Sequence, residues 1–474
     1  MTEFIPGRLT AGLAAALLLA GCASFSGINP QATLRTPAAA ETGAAGVPAV
    51  SPQWWREFGD AQLNALVEEA LRGNPSLGVA QARLRRAQAV TEVAHAATLP
   101  QVTGSLDITR QRYSENGLYP PPLAGSTSDS GTLQLNGSWE LDFFGKNKAA
   151  LEAALGSARA AEADVEAARV VLAANVARSY FQLVRVREQL AVSQRTLEQR
   201  GQQLQLVRQR VGAGLDTNLE LRQSEGALPE ARQQIEALQE QAQVAHNALA
   251  ALVGKPDVPE VAAVPALKTL PAATALPALP ADLLGRRADV SAARWRVEAA
   301  GENVKNAKAQ FYPNINLVGF VGLSTIGLGR LLDMGSLQYG AGPAIRLPIF
   351  DAGRLRANLR GRTADLDAAI ESYNGAVLEA IHETADAVAS LRSIAKQQVE
   401  QAEAQAAAEG AYQIALQRYQ AGLGTYLNVL AAESSVLNQR RLGVDLAARV
   451  LDARVALYRA LGGGYTADAT VAAH

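Results

Sequence analysis

Two hydrophobic periodicities organise the chain, one of seven residues and one of two. Val176, Leu183, Leu190, Leu197, Leu204 and Val211 fall every seven positions without a break. Leu221, Leu228 and Ile235 keep that spacing, and Leu430, Leu437, Val444 and Leu451 take it up again farther on. An unbroken heptad predicts long helices wound into a left-handed supercoil. Lys148 to Arg210 contains no proline. Roughly 63 helical residues at ~1.5 Å each make a rod of about 95 Å, some three hydrocarbon thicknesses, so the rod must project from any membrane. The second periodicity is shorter. Leu133, Leu135, Gly137, Trp139 and Leu141 alternate with Gln134, Asn136, Ser138 and Glu140. That pattern predicts a strand with one apolar and one polar face. Gln101–Thr109, Ile315–Leu323 and Leu337–Ile349 repeat it, the last with Gln338, Gly340, Gly342 and Arg346 on the polar side. Such lengths suit tilted transmembrane strands of ~9–11 residues.

These elements occur as one unit written twice. Ala213-Gly214-Leu215-Asp216-Thr217-Asn218-Leu219 returns 208 positions later as Ala421-Gly422-Leu423-Gly424-Thr425-Tyr426-Leu427. Gly145-Lys146 likewise matches Gly353-Arg354, and Leu249–Gly254 matches Leu457–Gly462. The expected order in each copy is helix, strand, loop, strand, very long helix, turn, long helix. The first helix opens at Asn74 as cap, with Pro75 in the first turn. The two modules are expected at 51–254 and 283–464, joined by a Pro/Ala-rich linker at 255–282 and followed by a tail at 465–474.

The N-terminus sets the compartment. Arg8 precedes the apolar run Leu9–Ala20, too short to span a bilayer and right for a secretory signal over 1–21. Leu19-Ala20-Gly21-Cys22 resembles a bacterial lipobox, so Cys22 is the expected lipidation site, and 22–50 reads as a flexible tether. After the signal, no apolar stretch reaches the ~18–20 residues of a membrane helix, and any crossing must use strands. Charge and residue counts narrow the chemistry. With 44 basic against 45 acidic residues there is no basic excess for nucleic acid. One cysteine allows no internal disulfide, and four scattered histidines show no metal-ligand spacing. No nucleophile motif or phosphate loop appears. We expect neither enzyme activity, nor a metal, nor a cofactor.

Four strands cannot close a barrel, and open edges in lipid leave amides unpaired at several kcal/mol each. Three copies supply twelve strands and a wet lumen, lined by Gln134, Asn136, Ser138, Glu140, Gln338 and Arg346. Trp139, Phe143, Phe144, Phe311, Tyr312 and Phe350 lie at strand ends, where aromatics anchor to the interface. The fold class expected is therefore a mixed α and β membrane protein. A trimeric twelve-stranded barrel is continued by a long helical coiled-coil barrel, with an internal tandem duplication.

Several motifs carry a resemblance: Trp54-Trp55 with Phe58-Gly59-Asp60, Leu283-Leu284-Gly285-Arg286-Arg287-Ala288-Asp289-Val290, Phe350-Asp351-Ala352-Gly353-Arg354, Arg418-Tyr419 with Gly422, and Leu457–Gly464. In this order, over essentially all of 51–465, the chain resembles the TolC/OprM-type outer-membrane factor family, in its lipidated, NodT-like branch. The resemblance implies a lipid-anchored homotrimer in the outer membrane with a large periplasmic portion. Its partners are a periplasmic adaptor (membrane-fusion) protein and an inner-membrane efflux transporter, and it conducts drugs or other small molecules passively. A type I protein-secretion exit shares these features; a non-conducting envelope tether shares only the rods. The resemblance also makes the turns Gly212, Gly214, Leu215 and Gly422, Leu423, Gly424 adaptor contacts, although a turn between helices needs glycine in any case. It makes Tyr419 a constriction residue. Relatives carry aspartates shortly after the second turn; here Asn428 and Ala431 stand instead, so closure falls to Tyr419 and Asn428. Asp216 and Glu220 are expected either at the constriction or as solvated caps favoured by the helix dipole.

Overall fold

A computed structural model describes residues 25–35, 50–258 and 286–466. The expected signal, Cys22, most of the 255–282 linker and all but the start of the tail lie outside the described residues. After a 3-10 turn at Trp54–Phe58, the elements run α1 (Ala61–Gly73), α2 (Pro75–Ala96), β1 (Gln101–Arg112), β2 (Thr127–Leu141), α3 (Lys146–Gly212), α4 (Asn218–Val253), α5 (Ala288–Ala309), β3 (Asn314–Ile326), β4 (Leu337–Arg346), α6 (Arg354–Gln420) and α7 (Tyr426–Ala460). From α2 onward the same order of elements occurs twice. The chain divides into two compact units: one from the described parts of 1–35, 83–161 and 292–374, the other from those of 36–82, 162–291 and 375–474.

The first unit holds a four-stranded antiparallel sheet in the order β1-β2-β3-β4. Its register sorts the side chains. Leu106 faces Leu133, which faces Leu323, which faces Leu337. Because strand side chains alternate with period two, that row and its parallels make one face. Between the rows of Leu106 and Ile345 its positions are aliphatic, aromatic or glycine. They are also uncovered: Val102, Leu135, Tyr339 and Ile345 all lie exposed. The other face carries Gln134, Asn136, Ser138, Glu140, Gln338 and Arg346, with the exposed Val318 and Phe320 of β3 among them. The strands outrun the expected lengths at the end of β1, the start of β2 and both ends of β3, but β4 stops at Arg346, short of Ile349. Pro348 there has no amide to donate to a ladder.

Two further expectations are corrected in this unit. Phe311 is not an interface anchor. It is buried with Ile28, Val304, Ala307, Leu355 and Leu359, and Phe25 meets it edge-on at 5.1 Å. Residues 25–35, expected within a flexible tether, are laid along α6. Asp367 Oδ1 accepts the backbone N–H groups of Gln31 and Ala32, both at 2.9 Å. Asn374 accepts from the Arg35 N–H and donates to the Thr33 carbonyl. Composition pointed to a loose segment; two side chains of one helix hold it instead.

In the second unit, a helix unassigned by periodicity, α1, is capped by Asp60, which accepts from the N–H groups of Gln62 and Leu63. Leu63, Leu66, Val67 and Ala70 bury one stripe of it. Asp60 also accepts a 2.5 Å hydrogen bond from the Tyr180 hydroxyl of α3, and Trp54 stacks on Tyr458 of α7 at 5.3 Å. The heptad seam of α3 is buried at Val176, Leu183 and Leu204 but only partly at Leu190 and Leu197. Along that stretch the buried positions are polar: Ser193, Thr196 and Gln203.

Candidate functional site

Both inter-helix turns close by the same backbone device. The Leu215 N–H bonds the Arg210 carbonyl and the Gly214 N–H bonds the Val211 carbonyl; 208 positions on, Leu423 bonds Arg418 and Gly422 bonds Tyr419. This pairing, with a left-handed residue at its apex, ends a helix by satisfying its last carbonyls. Gly214 and Gly422 both have φ +73°, a conformation only glycine adopts without strain. Gly212 is the last residue of α3 and Gly424 has no positive φ, so neither is required by conformation. Leu215, Leu219, Leu423 and Leu427 leave apolar side chains exposed around the turns.

The two turns are joined by charge. Asp216, after the first turn, accepts a 2.9 Å hydrogen bond from Arg210 Nε and another from the Tyr419 hydroxyl. The Arg210 guanidinium lies 4.6 Å over the Tyr419 ring. The carboxylate and guanidinium side chains are only 10% and 12% exposed. Burial acts to raise the Asp216 pKa, but the hydrogen bonds from Arg210 and Tyr419 outweigh it and hold the carboxyl below its ordinary value. Burial, then the hydrogen bond and charge of Asp216, push the Tyr419 phenol up, so it stays a donor. Asp216 is thus no solvated cap. The cap is Thr217, whose hydroxyl accepts from the Leu219 N–H while Glu220 accepts from the Thr217 N–H in a capping box. Hydrogen bonds from the Thr217 hydroxyl and from backbone N–H groups lower the Glu220 pKa. Asn428 stands exposed in the first turn of α7, and its side-chain amide makes no hydrogen bond among the described residues.

Sequence reasoning passed over Arg210, although comparing the two copies exposes it: Arg210 and Arg418 correspond, and only the first has an acid six residues on. It also passed over a second buried cluster. Arg200 of α3 reaches Glu433 of α7 at 3.4 Å, with their side chains 13% and 5% exposed. Arg200 also donates to the Ala227 carbonyl and to Glu230 of α4. Gln203 donates to the Tyr412 hydroxyl of α6 at 2.6 Å. Burial raises the Glu433 pKa against the opposing charge of Arg200.

On the polar face of the sheet, three of the expected lining residues are linked by hydrogen bonds. Gln134 donates to Asn136, and Gln338 of β4 donates to Gln134 of β2 at 3.2 Å. They meet because Gly322 of β3, paired with both, has no side chain between them. Glu140 pairs with Lys146 Nζ at 2.5 Å. Ser138 and Arg346 share this face, Arg346 at the end of β4. Among the described residues no three His, Cys, Asp or Glu side chains are placed to hold a metal, and no helix is long and apolar enough to cross a membrane.

The outer membrane efflux protein family model matches residues 66–255 and 279–463. The fusaric acid resistance protein FusA of Burkholderia cepacia is 41% identical over 364 residues, covering 74% of this chain and 68% of that one. The pyoverdine export outer membrane protein OpmQ of Pseudomonas aeruginosa is 33% identical over 465 residues, covering 96% and 97%. Among solved structures, the outer membrane protein VceC of Vibrio cholerae superposes with a TM-score of 0.79 at 37% identity, covering 87% of this chain and 98% of that one. With both copies of the repeat matched, the chain belongs to the outer membrane efflux protein family, and its work is efflux through the outer membrane.

Proposed function

We propose that this chain is the exit duct of a tripartite efflux pump, built from three copies and anchored by a lipid on Cys22. The observation that carries the reading is the sheet with two unlike faces. An exposed, uninterrupted apolar face opposite a mainly polar one with linked amides has no place in a soluble sandwich, where the apolar side is covered. It suits a barrel wall between lipid and water. Four strands leave β1 and β4 as open edges, and twelve strands from three copies remove them. The exposed leucines at the two turns offer a periplasmic adaptor an apolar contact, and an inner-membrane transporter supplies the cargo. Tyr419, Asp216 and Arg210 tie the turns of each copy together and keep the duct narrow at rest.

The chain performs no bond chemistry in this reading; it conducts small molecules rather than secreted proteins, in keeping with the resistance and export named for its relatives. The test is export in a strain lacking its own outer-membrane efflux channels, supplied with this chain, its adaptor and its transporter. Restored resistance and dye efflux are expected. Trimers present in the outer membrane with drug accumulation unchanged overturn the proposal.

A further inference from the structure

Charges on the polar face of the sheet are few, and they are sorted by height. Arg346 ends β4 opposite Asn314. It is exposed, and its guanidinium makes no hydrogen bond or ion pair among the described residues. Asn314 is engaged by Asn316, which donates to it at 2.5 Å. The nearby acid, Glu140, is neutralised by Lys146. A cavity of about 410 Å³ opens at this foot of the sheet, with Glu140, Lys146, Asn314, Arg346 and Arg354 among its walls. The two chain segments that turn from strand to helix here, 140–148 and 346–356, carry five basic residues against three acidic ones. Another charge of this face, Asp107, sits in the row Asp107, Thr132, Ser324. On β3, Ser324 and Asn314 are ten residues apart, about 33 Å of strand. That exceeds the screening length of ~8–10 Å, so the two charges act separately.

We infer that Arg346 sets the charge preference of the channel. With its two copies it forms a ring of three guanidiniums at the mouth of the barrel where the helices begin. The ring draws in anionic, carboxylate-bearing small molecules and slows cationic ones, as basic rings do in anion pores. This rests on the reading of the polar face as the lumen of a three-chain barrel.

The experiment reads ion selectivity of the full-length trimer in planar bilayers under a potassium chloride gradient. An Asp216→Asn, Tyr419→Phe background keeps the turns from limiting the current. Arg346→Gln should lower the chloride-to-potassium permeability ratio about two- to five-fold, as removal of a charge within a screening length of the passing ion requires. Arg346→Lys should preserve the ratio, and Arg346→Glu should lower it further. In parallel, Asn136→Cys is treated with a charged thiol reagent, which should cut conductance. If it does, and Arg346→Gln leaves the ratio unchanged, the assignment to Arg346 is overturned while the lumen stands. If Asn136→Cys trimers conduct normally after confirmed labelling, the lumen reading fails and this inference with it.

Discussion

Breaking the link at the turns should open the channel without unfolding it. Tyr419→Phe removes one hydrogen bond to a charged acceptor, worth about 1.5–3 kcal/mol. It keeps the ring under Arg210, so packing changes little. Tyr419 itself is 1% exposed, so water cannot readily take its place. At about 1.4 kcal/mol per factor of ten, the balance between held and released turns moves about ten- to a hundredfold in each copy. Asp216→Ala goes further, because it strands the buried Arg210 guanidinium and the Tyr419 hydroxyl together; breaking a buried pair this way costs about 3–5 kcal/mol. The double variant should cost much less than the sum, since both remove the same bond. Single-channel conductance and sensitivity to bulky drugs should both rise, more for Asp216→Ala than for Tyr419→Phe. The pH response follows from the sign of the Asp216 shift. A carboxyl held below its ordinary value lends stability above that value and loses it as pH falls through the depressed one. Conductance should therefore be flat from about pH 5 to 8 and rise only below about pH 4. Unchanged conductance in both single variants, with trimers confirmed in the outer membrane, refutes the reasoning.

The remaining expectations are brief. Gly214→Val and Gly422→Val should each cost about 1–3 kcal/mol in backbone strain alone, because a Cβ at either position meets nothing within 4 Å. Gly212→Ala, on helical backbone with the same open space, should be neutral or stabilising by up to about 1 kcal/mol. Thermal unfolding and adaptor cross-linking separate the two outcomes. At the second cluster, Arg200→Met leaves Glu433 buried without its partner and should destabilise by about 3–5 kcal/mol, whereas Glu433→Gln should cost far less; equal melting temperatures would contradict this. Cys22→Ser should abolish palmitate labelling while leaving trimers in the outer membrane.

Strand faces and turn glycines were legible in the sequence because each depends on local pattern. Period two sorts Gln134 from Leu135 whatever the neighbours are, and a left-handed apex needs glycine wherever it occurs. The contacts that cross elements were not legible. Heptad spacing marks Leu190 and Leu197 as seam residues, yet Ser193, Thr196 and Gln203 are buried there. The partner of Gln203 comes from another helix, and no spacing along α3 reports a Tyr412 some two hundred positions away. Phe311 failed for the same reason. Its place beside a strand suggested the interface, while the segment carrying Ile28 and Phe25 covers it.

The repeat explains how the link at the turns arises. At equivalent positions the first copy has Val211 and Asp216, the second Tyr419 and Gly424. Each copy retains its arginine, but they serve differently: Arg210 holds Asp216, while Arg418 donates to the Leu423 carbonyl of its own turn at 3.3 Å. Had both kept the valine, no donor would reach Asp216 from the other turn. Divergence of the copies leaves one acid, one phenol and one guanidinium facing each other. The Tyr419–Asp216 bond therefore joins the two halves of the chain at positions where the halves are no longer alike.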